Sequence, residues 1–227
     1  MKKTCAAIIP LAIAALMLAA CKVEHVSRIK HSQTVAPIAE IDSTIRVEVT
    51  SCTDHEDKTQ ASRDVLKARD IMSKLWSDGV FEGCRNENME SFASFTVPLE
   101  VGTISPGEKF KPKGAAFVRN GAGETFFMLA PHVREQIKKS RESSSTMKVS
   151  IEIQLVNNSG TPLKVKPTAA FVNGTPFAEL PRWDNWAQIP PNAKGTIKLS
   201  DVSTERIIRN GVAPVYAEIS EPDAVKK

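Results

Sequence analysis

The 227-residue chain lacks the short signatures of the common enzyme classes. It contains no G-x-S-x-G elbow, no H-E-x-x-H helix and no phosphate-binding glycine loop. Gly121-x-Gly123 reads as a turn, without the third glycine or the helix of a nucleotide loop. There is no surplus of one charge: 30 basic residues face 26 acidic ones, a formal +4. Without a clustered basic face, nucleic acid is not the expected partner. No internal repeat and no low-complexity tract occur. Histidine is scarce, with four in all, and His25 and His31 fall near the N-terminus. Catalytic residues, metal ligands and cofactors are therefore not expected. A site assembled from residues distant in the chain, around His132 or His55, is the form a hydrolase would have to take. Ser145-x-x-Lys148 has the spacing of serine–lysine enzymes, but it leads into a strand pattern where theirs opens a helix.

Long apolar runs are scarce too. Lys2 and Lys3 precede an uncharged stretch from Cys5 to Ala20. That stretch has the length of a signal-peptide apolar region and falls short of the roughly 20 residues of a membrane span. It closes on Leu18-Ala19-Ala20-Cys21, which resembles the lipobox of bacterial lipoproteins. The resemblance implies removal of residues 1–20 and acylation of Cys21. Several acyl chains hold a protein stably on a bilayer without a spanning helix. Loss of Lys2 and Lys3 would lower the formal charge from +4 to +2. In enterobacterial lipoproteins an aspartate after the cysteine favours the inner membrane. Lys22 stands there, which implies an outer-membrane, periplasm-facing location.

Residues 22–40 show no sustained period and read as a tether. Extended at about 3.3 Å per residue, it would reach roughly 60 Å. Folded structure is expected from residue 41: a domain over 41–140, a polar boundary near 141–145, and a second domain over 146–221. The roughly 185 residues beyond the tether suffice for one large core or two small ones.

With Cys5 removed and Cys21 acylated, Cys52 and Cys84 remain as one pair, and an oxidising compartment makes a disulfide the expected state. Closing a loop of about 32 residues is worth roughly 3–4 kcal/mol. The alternative is a metal on Cys52, His55 and Cys84, one ligand short of a structural zinc site. Asp54-His55-Glu56-Asp57 reads as a solvated turn rather than a calcium site or general base.

Ile45, Val47 and Val49 alternate with Arg46, Glu48 and Thr50, predicting a half-buried strand. Ala61, Val65, Ala68, Met72 and Leu75 trace one face of a helix, capped by Asp57 or Thr59 and stopped near Gly79. Trp76 borders that face as a packing residue. Phe95, Val97, Leu99 and Val101 predict a second strand. A hairpin is expected around Asn120-Gly121 and a short helix from Pro131. Beyond the boundary, Val149, Ile151, Ile153 and Leu155 alternate, and turns at 157–160 and Asn173-Gly174 separate further short strands. A helix within 203–211, stopped by Gly211, precedes a last strand near 213–219.

The expected fold class is α+β: an N-terminal strand-helix-strand unit with its disulfide, then a mainly antiparallel β region with short helices. "VSIEIQLVNNSGTPLKV" and "IPPNAKGTIKL" resemble strand pairs of immunoglobulin-like periplasmic domains, which implies a sandwich and nothing about function.

Arg182, Trp183 and Trp186 lie in "LPRWDNWAQIPPN", a proline-flanked polar segment. Exposed, they would make a binding patch for protein or sugar. Buried, the rings would seal the two halves of the fold. The stretch from "VEVTSCTDHEDKT" to "EGCRNENMESFASFTVPLEVG" resembles a group of uncharacterised lipoproteins carried by phages and mobile elements of enterobacteria. That resemblance spans residues 45–101 and rests on the two cysteines and on Met89 to Phe95. It implies phage-related biology. The leading expectation is a non-enzymatic, lipid-anchored envelope protein working through contacts with another envelope protein, in surface modification or exclusion. The alternatives are a glycan or small-ligand binding module and a hydrolase.

Overall fold

Alternating inward and outward side chains turn about half of the described residues into strands. The computed structural model describes residues 22–143, 147–177 and 186–219. The N-terminal half holds β1 (Lys22–Lys30), α1 (His31–Thr34), β2 (Ala39–Val49), α2 (Arg63–Leu75), β3 (Val80–Glu87), β4 (Glu90–Thr103), β5 (Ala115–Arg119), β6 (Glu124–Leu129) and α3 (Pro131–Ser143). The C-terminal half adds β7 (Lys148–Val156), β8 (Leu163–Pro167), β9 (Ala170–Val172), β10 (Thr175–Phe177), β11 (Ala187–Ile189), β12 (Lys194–Leu199), α4 (Asp201–Asn210) and β13 (Val212–Glu218).

All the described strands belong to one curled sheet. Its order is β10-β9-β12-β7-β1-β2-β4-β5-β6-β13-β8-β11, and β3 pairs with β4 off that path. Most neighbours run antiparallel, but β1 pairs in parallel with β7, and β4 with β5. The register places Val23, His25, Ser27 and Ile29 of β1 beside Val149, Ile151, Ile153 and Leu155 of β7. Antiparallel pairing sets Val23, His25 and Ser27 against Val47, Ile45 and Ser43 of β2. These residues share one face with Phe95, Val97 and Leu99 of β4. That inner face is the core, and Val97, Leu99, Ile153, Leu155 and Phe117 are fully buried on it.

The short helices and the Cys52–Cys84 disulfide match the expectation, with the two Cα atoms 5.4 Å apart, while strands predominate in both halves where an α+β class was expected. Four expectations are corrected. The proposed tether is folded: residues 22–30 form a central strand, and β2 begins at Ala39. The two proposed domains share one sheet, since β1 bridges β2 and β7. The C-terminal strands accordingly extend this sheet on both flanks and do not stand apart as an immunoglobulin-like sandwich. Within the expected strand-helix-strand unit a further strand, β3, intervenes between α2 and β4.

Helix α2 begins at Arg63, three residues or more later than its sequence suggested. Ser62, not Asp57 or Thr59, is the cap, its hydroxyl accepting from Val65 N at 3.3 Å. The helix ends at a cap on Trp76, whose N–H reaches Met72 O, so Gly79 has no capping role. Its buried face carries Val65, Ala68 and Met72. Burying a valine or methionine side chain is worth about 1.5–3 kcal/mol each, which ties the helix to the sheet. Helix α3 starts at Pro131 and α4 stops at Gly211, which takes φ 88°, a conformation glycine adopts without strain.

Candidate functional site

Both α2 and α3 cover the same end of the curled sheet. It is the end where β1 and β7 start and where β2 and β6 finish. Helix α2 follows β2, and α3 follows β6 directly. His132 fixes one side of this cover, its Nε2 lying 3.2 Å from Leu75 O. Between the helices and the inner face lies a cavity of about 480 Å³. That size falls within the range of small-ligand sites, about 300–1,000 Å³.

The walls are apolar. Val23, Ile45, Val47, Ala115, Leu129, Val149 and Ile151 come from the sheet. Ala68, Ile71, Met72, Leu75 and Trp76 come from α2 and its cap, and Val133 and Ile137 from α3. Ile71, Leu75, Ile137, Val23, Val149 and Met147 all line the cavity yet are only partly buried. An inward apolar residue stays accessible only where the space beside it reaches solvent, so the cavity is a cup with a mouth. Exposed Lys67, Lys139 and Glu142 lie among the lining residues and supply its polar rim. Trp76 is set by a close approach: a Cβ on Gly114 would overlap the indole nitrogen, so only glycine lets the ring seat there. The indole N–H is buried and has no hydrogen-bond partner among the described residues.

One lining residue breaks the apolar pattern. His25 is 7% exposed and stacks edge-to-face on Phe127, with ring centroids 5.2 Å apart. Both rings line the cup. His25 Nε2 lies 3.0 Å from Ser43 Oγ, and the Ser43 hydroxyl donates to Val97 O at 3.1 Å. A hydroxyl has one proton, so with Val97 O taking it, Nε2 is the donor and Nδ1 the bare acceptor. Nδ1 is buried with no partner among the described residues, as is Ser27 Oγ two residues along β1. Burial lowers the His25 pKa from 6.5 to about 4, so the ring is neutral at physiological pH.

A second hollow, about 470 Å³, lies on the other side of α2, bordered by Leu66, Arg69, Asp70, Ser73 and Phe81. Arg69 spans it, its guanidinium 5.0 Å from the Phe81 ring centroid.

The residues singled out from the sequence fall elsewhere. Cys21, Arg182 and Trp183 lie outside the described residues. Trp186 is 41% exposed, with Lys164 Nζ 5.4 Å from its ring, so this tryptophan seals no interface between halves. Cys52 and Cys84 are bonded to each other and are not zinc ligands. Among the described residues no group of three metal-ligating side chains gathers. The Asp54–Asp57 run is consumed by its own turn. Asp54 Oδ1 accepts from Glu56 N and Asp57 N, and Asp57 Oδ1 from Thr59. These hydrogen bonds hold both carboxyls below the usual range. Sequence reasoning missed the cup and His25. The one signal was a histidine placed two residues from Val23 and four from Ile29, on a side that alternates inward.

Fold and cavity together define a helix-covered, curled-sheet protein with an apolar cup at an end. The chain belongs to the family described as a domain of unknown function, DUF7424, which it matches over residues 30–223. The match starts at the last residue of β1, so His25 and Val23 lie N-terminal to the matched span. No curated protein and no solved structure matches the chain.

Proposed function

We propose that this is a lipid-anchored envelope protein that holds one apolar chain, such as an aliphatic tail, in the cup between α2 and α3. The observation that carries this reading is the set of inward apolar side chains that stay accessible around a cavity of about 480 Å³. Exposed apolar surface costs about 25 cal/mol per Å², and an aliphatic ligand recovers it. Among the functions expected from sequence, the small-ligand module is the one this geometry favours. Contact with another envelope protein is the alternative, and crosslinking in intact cells would identify that partner.

The anchor supports the same reading. β1 begins at Lys22, the residue after Cys21. Acyl groups on Cys21 would hold the body against the bilayer with no leash, cup end first, because Val23 already lines the cavity. A chain leaving the bilayer would have little water to cross.

Calorimetry of the full chain carrying Cys21→Ala, which cannot be acylated, with decyl methyl ether tests the cup. The unsubstituted cavity binds the ether, and Ile71→Trp, which fills the mouth, weakens binding at least tenfold without lowering the unfolding midpoint. Absence of heat at saturating ether, or an unchanged affinity in Ile71→Trp, contradicts the reading.

A further inference from the structure

The cup's inner wall should be wholly apolar if its ligand were a plain hydrocarbon. It is not: His25 sits there, paired through Ser43 to the Val97 carbonyl on one side and bare on the other. A buried acceptor left without a donor costs about 1–3 kcal/mol, so it persists where something else satisfies it. Neighbouring Ser27 Oγ is also without a partner among the described residues. No lysine or arginine accompanies His25 on the inner face of β1 and β2, where Val23, Ile45 and Val47 surround it. A carboxylate at this depth would be a buried charge without a counter-ion.

We infer that the ligand of the cup is an aliphatic molecule bearing an uncharged hydrogen-bond donor, a hydroxyl or an amide N–H, that donates to His25 Nδ1. This rests on the cup being a ligand site and adds the polar chemistry of what fills it. His25 is here a recognition residue. Ser43 is a positioning residue, since its hydroxyl sets which ring nitrogen is bare.

The test compares 1-decanol with decyl methyl ether on the full Cys21→Ala chain. The two probes share an aliphatic chain and an ether or hydroxyl oxygen, but only decanol donates. Decanol binds about tenfold tighter, the worth of one hydrogen bond formed to a buried orphan. In His25→Phe, which keeps an aromatic ring against Phe127, the ratio of the two affinities falls to about one. A second reading on the unsubstituted ring guards against a misfolded variant. The ¹⁵N resonance of Nδ1 moves to lower frequency on adding decanol and does not move with the ether. Equal affinities for both probes, or equal movement of Nδ1, overturn the donor and leave the cup standing. Binding of neither probe overturns the cup and the donor together.

Discussion

His25 has two ring nitrogens with opposite fates: one is tied to Ser43, and the other is buried without a donor. The same burial makes the residue a reporter of pH. Its pKa is about 4 in the folded protein against 6.5 when solvated. Between those values the unfolded chain binds a proton that the folded chain does not. The stability that the neutral ring represents is therefore fully present above about pH 6.5. It declines as pH falls through this window and is gone below about pH 4, a loss of about 3 kcal/mol. Urea unfolding at pH 7, 5 and 4 measures it, and His25→Phe flattens that part of the profile. An unchanged slope in the variant would mean that another group carries the acid sensitivity.

At the scale of elements, the disulfide is tied to the start of α2, one of the two helices that cover the cup. The Ser62 hydroxyl that caps α2 also donates to Ser51 O, and Ser62 N donates to Cys52 O. Cys52 in turn is bonded to Cys84 on β3. The first turn of α2 is thus held by the cross-link. Replacing both cysteines by serine opens a loop with a sequence separation of 32 residues. The expected loss is about 3–4 kcal/mol in urea unfolding. Amide exchange should quicken in α2 before it does in the central strands β1 and β4.

The elements that were legible in the sequence, and those that were not, divide on the same physics. β2, β4 and β7 showed themselves because most of their inward positions are valine, isoleucine, leucine and phenylalanine. α2 showed itself through a four-three spacing of apolar residues. β1 stayed hidden because two of its four inward positions are His25 and Ser27, so its period of two is invisible to a count of apolar residues. β3 stayed hidden because it is largely exposed and its register shifts between Phe81 and Gly83. The parallel partnership of β1 with β7 joins residues more than a hundred positions apart, which no local pattern announces. The break in pattern that concealed β1 is also the polar spot on the cup's wall, as expected where a functional position overrides local consistency.

For the whole molecule, the beginning of β1 would set the orientation of an anchored body. Lys22 lies beside the tip of the β3–β4 hairpin, 3.8 Å from Glu90, and Met89 at that tip is fully exposed. A body anchored through Cys21 would bring Met89 to the bilayer surface together with the mouth of the cup. A Met89→Trp variant reports this. Its emission shifts to the blue when the acylated protein is placed in phosphatidylcholine vesicles, and stays unshifted for the same variant carrying Cys21→Ala. A body on a long tether would give the same emission in both.

Contact quenching of Trp76 reads the cup directly. Trp183→Phe and Trp186→Phe in the full Cys21→Ala chain leave Trp76 as the one tryptophan, on the wall of the cavity. Titration with a bromine-substituted decanol should quench its emission saturably, and unlabelled decanol should restore it. Quenching that rises linearly without saturation, or that decanol fails to reverse, would mean that no aliphatic chain sits between α2 and α3.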